Sequence, residues 1–109
     1  MLDEREIKYY CNKYNFSYRY FYNNAVIMTG VDMWRLTEIE TRNRNTVEYK
    51  IIVEHANKAG NRTGKIQFHS QRIAYDVEWI FENIIIPHQS YNRVYQKAFR
   101  LKELLFQVL

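Results

Sequence analysis

At Phe16 the apolar spacing of this chain changes from helical to alternating, and that switch decides what it can fold into. Before it, Ile7, Tyr10, Cys11 and Tyr14 recur three and four residues apart, the period of one helix face. From it, Phe16, Tyr18, Tyr20 and Tyr22 alternate with Ser17, Arg19, Phe21 and Asn23, the period of a strand. A chain that opens on a helix and then alternates predicts an α+β domain.

The helix is expected over residues 3–14. Asp3 can cap it, Glu4 and Glu6 meet the positive end of its dipole, and Lys13 meets the negative end. Asn23-Asn24 suits a tight turn, because asparagine tolerates positive φ. Ala25 to Glu40 reads as a second extended segment, with a bulge or bend at Gly30. The polar TRNRNT of residues 41–46 makes the next turn. Val47 to Ala56 and Lys65 to Ile73 read as third and fourth strands about the loop KAGNRTG. Short connections favour an antiparallel meander.

Val77, Ile80, Phe81, Ile84 and Ile85 then give a helical stripe that Pro87 ends. Ser90 caps a last helix, with Tyr91, Val94, Tyr95, Ala98, Leu101, Leu105 and Val108 on one face. The expected fold is a four-stranded antiparallel meander with an N-terminal helix and two C-terminal helices, in the order α-β-β-β-β-α-α. At 109 residues one domain, 1–109, is the natural reading.

Composition excludes several functions. One cysteine, Cys11, rules out an internal disulfide and fits a reducing compartment. No apolar run approaches the ~18 residues of a membrane span. The acidic MLDEREIKYY lacks the order of a signal peptide, so a cytoplasmic protein is expected. Residues 1–57 carry eight basic and eight acidic side chains, whereas residues 58–109 carry eight and four, so the whole excess of +4 lies in the second part. Such an excess suits an acidic partner.

The motif search is mostly negative. AGNRTGK has its two glycines too close together for a phosphate loop, and a hairpin turn explains it better. No elbow surrounds any serine. His55, His69 and His88 lack HxxxH spacing and no CxxC occurs, so spacing signals neither metal nor cofactor.

His55 and His69 are the candidates for chemistry, since they lie seven residues either side of Arg62. Phosphodiester cleavage without metal needs one imidazole as base, another as acid, and a cation for the phosphorane charge, here Lys65 or Arg72. Symmetric pairing would set the imidazoles opposite each other but mix apolar and polar side chains on both faces. A one-residue slip gathers Ile51, Val53, Ile66 and Phe68 on one face. Register follows the buried face, so the slipped register is expected, with the imidazoles apart.

The leading expectation is therefore a non-enzymatic binding protein for nucleic acid or a nucleic-acid-processing protein. Small motif-free domains of this kind are frequent in phages and mobile elements, where they inhibit host nuclease systems. Its contacts would be Arg93, Lys97 and Arg100 on the last helix, with Lys58, Arg62 and Lys65 in the loop. The rival is a small metal-independent ribonuclease or toxin that uses His55 and His69. The tyrosine-rich strand offers base stacking or a homodimer contact.

Overall fold

Asp3 caps the first helix as its sequence predicts: its carboxylate accepts from the Arg5 N–H at 2.9 Å. Helix α1 spans Glu4–Tyr14 and ends on Asn15 in the left-handed conformation. The computed structural model describes residues 2–30, 32–57 and 66–89. The expected last helix from Ser90, with Arg93, Lys97 and Arg100, lies outside the described residues, and so do Lys58, Arg62 and Lys65.

The sheet has five strands, not the four expected. They are β1 (Ser17–Phe21), β2 (Asn24–Met28), β3 (Asp32–Asn43), β4 (Thr46–Asn57) and β5 (His69–Ala74), in the antiparallel order β1-β2-β3-β4-β5. The difference lies at Gly30. Its φ of +104° is open to glycine and strained for other residues. The chain therefore reverses there, and the segment read as one long strand becomes a hairpin, closed by Thr29 N–H donating to the Asp32 carbonyl at 3.0 Å.

The strand count also sets which turns lie together. The turn at Arg44-Asn45 shares an end of the sheet with the turn at Tyr22-Asn23. Gly30, the end of β4 and the start of β5 share the other. Beyond the other strands, Ile39–Asn43 and Thr46–Lys50 pair only with each other, as a projecting ribbon.

One face of the sheet is the core. Ala25 and Ile27, Trp34 and Leu36, and Ile51 and Val53 are all buried. Tyr18 and Tyr20 pack against that core half-buried, whereas Phe21 and Tyr22 are exposed. The aromatic strand thus uses two of its tyrosines internally.

The core is closed by α1 and by a C-terminal helix. Helix α2 (Val77–Ile80) begins at Asp76, whose carboxylate accepts from Trp79 N–H at 3.0 Å. It widens into a π-helical turn, Phe81–Ile85, and returns to α-helix over 86–89. Phe81 is fully buried and stacks on Tyr10 and Tyr14, at 5.2 and 6.3 Å between ring centroids. Burying a side chain of this size contributes about 1.5–3 kcal/mol.

Pro87 does not end the helix, contrary to expectation. In a regular α-helix its ring would meet the carbonyl four residues back, at Asn83. The π-helical turn lies over that position and displaces the clash. The helix therefore runs on and brings His88 to the sheet.

Candidate metal centre

Three elements deliver one polar side chain each to the Gly30 end of the core. Asp32 opens β3 directly after the glycine turn, on the face of Trp34 and Leu36. His55 lies in β4 on the face of Ile51 and Val53, with its Cα opposite Trp34. His88 lies one turn after Ile84. In each element an apolar stripe ends in a residue able to bind a metal or move a proton.

Their donor atoms converge. Asp32 Oδ1 lies 2.7 Å from His55 Nε2 and 3.4 Å from His88 Nε2. One such atom from each residue falls within 4.8 Å of the others. The Asp32 side chain is fully buried, while His55 and His88 keep 16% and 33% of theirs exposed. The Asp32–His55 contact is a hydrogen bond whose direction follows the imidazole tautomer. A buried carboxylate requires such compensation. Trp34 packs against both imidazoles, 4.5 Å from His55 and 5.2 Å from His88.

A cleft of about 370 Å³ opens over the two histidines, lined also by Trp34, Ser70, Arg72 and Asn83. Its β5 wall depends on a bulge. Ile51 pairs with Ala74, Ile52 with Ile73 and Val53 with Arg72, a one-residue slip from symmetric pairing. Ile66 and Phe68 do not join Ile51 and Val53 as expected: Ile66 is exposed and Phe68 lies against the Arg35 guanidinium on the other face. Between Val53 and His55 the register shifts by one residue, and His55 pairs with His69. The extra residue is accommodated where Ser70 takes a positive φ of 62°. Both registers are therefore present, each over part of the strand.

The expected separation of the imidazoles is thereby corrected: the His55 and His69 rings stand 6.2 Å apart. In a regular strand, residues three apart point to opposite faces. The bulge sets both His69 and Arg72 on the inner face, as bulges beside functional sites do. His69 is exposed. Of the other residues singled out for catalysis, Arg72 lines the cleft and Lys65 lies outside the described residues.

Asp32, His88 and Trp34 were missed by the sequence reading. Their signal was present but faint: a polar residue at the end of an apolar stripe. Cys11, by contrast, is buried under α1, and burial pushes its thiol up to about 11, so it supplies no nucleophile.

Compared with protein-family models, with curated proteins and with solved structures, the chain matches none. Among the described residues no helix is long and apolar enough to cross a membrane.

Proposed function

We propose that this protein is a small metal-dependent hydrolase, with a divalent first-row transition metal held by Asp32, His55 and His88. The observation that carries the reading is the convergence of Asp32 Oδ1, His55 Nε2 and His88 Nε2 beside an open cleft. A purely orienting aspartate needs one imidazole; two imidazoles turned on the same oxygen by their Nε2 atoms form a ligand set. Two histidines and a carboxylate with a free position are the donors of hydrolytic zinc sites.

The distances support the fit. Ligands about 2.0–2.2 Å from a tetrahedral ion stand roughly 3.3 Å from one another. The Asp32–His88 separation of 3.4 Å already matches, and the Asp32–His55 contact of 2.7 Å needs to open by roughly 0.6–0.9 Å. Lewis acidity and a water ionised near neutral pH are what such an ion supplies.

Zinc titrated calorimetrically into chelator-treated protein is expected to bind one ion per chain. His88→Ala, on the last described turn, should weaken binding more than about a hundredfold without unfolding the sheet, since even indirect partners of a metal cost 10–100-fold. His55→Ala should do the same. Wild-type affinity in both variants would remove the centre.

A second reading has its own observation: the opposed rings of His55 and His69, with Arg72 in the same cleft. It is metal-independent acid–base cleavage of RNA, and it predicts cleavage that persists in EDTA and disappears in His69→Ala. Cleavage abolished by EDTA and restored by zinc would favour the metal reading. The nucleic-acid-binding reading rests on Arg93, Lys97, Arg100, Lys58, Arg62 and Lys65, and no described contact adds to it.

A further inference from the structure

From the wall of the cleft opposite the histidine pair we infer that the centre takes a phosphate ester, anchored by Arg72. The inference rests on the metal reading and adds the substrate class.

The first argument is the charge on the rim. Arg72 lines the cleft and makes no ion pair with a described residue, unlike Arg5, Arg35 and Arg42, which each hold a carboxylate. Asp32 is the carboxylate of the site, and it faces the two imidazoles. Among the described residues, the cleft therefore pairs a guanidinium with the metal centre and sets no second carboxylate between them. A guanidinium fork matches two phosphate oxygens in a bidentate contact, which a neutral substrate could not use.

The second argument is the bulge. It uses an uncommon backbone conformation at Ser70 and leaves Arg72 and His69 on one face of the strand. Regular pairing would hold the same strand without it. Strain kept beside a cleft points to a function for the aligned side chains. Ser70 lines the same wall, whereas the Asn83 amide is engaged by the Trp79 carbonyl at 3.1 Å. A cleft of about 370 Å³ holds a phosphate with a small ester group, or one phosphate of a strand that continues outside.

The reaction is hydrolysis. The oxygen of one water forms a bond to phosphorus, and the bond between phosphorus and the ester oxygen breaks with its electron pair on that oxygen. One proton of the water ends on the leaving oxygen and the other passes to solvent.

The test uses the full chain loaded with Co²⁺, whose visible spectrum reports on the ligands of the ion. Inorganic phosphate should perturb that spectrum saturably. Arg72→Ala should weaken the phosphate response about tenfold or more, with Co²⁺ affinity unchanged. Phosphate that leaves the spectrum unmoved, or that binds Arg72→Ala as tightly as wild type, overturns the inference. Failure to bind Co²⁺ at all overturns the metal reading instead, so the two failures are distinct. The source of the phosphate is then read from hydrolysis of 4-nitrophenyl phosphate against a short single-stranded RNA by the zinc-loaded protein. Turnover of the first assigns monoesters and of the second nucleic-acid diesters, each reduced in Arg72→Ala; turnover of neither overturns the assignment.

Discussion

Two buried acids divide the two faces of the sheet. Glu54 faces away from the cleft and is held by Arg35 in a bidentate pair at 2.8 and 2.9 Å, with the Phe68 ring lying 4.3 Å from the guanidinium. Its needs are met by a permanent cation, and that is a structural arrangement. Asp32 is approached by two imidazoles, groups that also ligate metals. The Arg35 hydrogen bonds hold the Glu54 carboxyl below its ordinary value of 4.5. A depressed folded-state value contributes stability above the carboxylate range and loses it as pH falls through that value. Glu54→Gln should therefore cost about 1–2 kcal/mol at pH 7, between an exposed and a buried pair. The gap to wild type should narrow as pH falls through the carboxylate range, as read by urea unfolding at pH 7 and at an acid pH below that range. An equal gap at both would show that the charge is not the source.

At the scale of elements the site depends on three backbone irregularities: the turn at Gly30, the bulge at Ser70 and the π-helical turn Phe81–Ile85. A Cβ at Gly30 would meet nothing within 4 Å, so Gly30→Ala is a test of backbone conformation alone. It should cost about 1–2 kcal/mol. For a chain of this size that lowers the melting temperature by roughly 5–10 °C. It should also weaken metal binding, because Asp32 lies two residues on. An unchanged melting temperature would contradict the role given to the turn.

The same irregularities mark what was legible in the sequence. Helix α1, its Asp3 cap, the period-two strands and the stripe from Val77 to Ile85 follow from local spacing, which the chain displays openly. Gly30 was visible as an interruption, but whether it bends one strand or divides two depends on what the flanking segments pair with. Apolar matching favoured a slip that holds from Ile51 to Val53, but Ile66 and Phe68, which argued for it, do not join that face. It could not find the bulge, since one inserted residue reverses the faces only beyond it. The meeting of Asp32, His55 and His88 needs the strand count, the bulge-free β3–β4 pairing and a helix that passes Pro87. Three long-range facts stood between the residues and the site.

At the scale of the whole molecule, the fold keeps the two ends of the sheet distinct. The helices cover one face of the meander, the projecting ribbon occupies one end and the cleft the other. The core serves the cleft directly, since the stripes that bury Leu36, Val53 and Ile84 are the ones that deliver Asp32, His55 and His88. A metal centre at these three atoms would be visible by anomalous diffraction at the zinc edge from crystals grown with zinc. One strong peak is expected about 2.0–2.2 Å from Asp32 Oδ1, His55 Nε2 and His88 Nε2. No peak there, with the hydrogen bond between His55 and Asp32 intact, would contradict it.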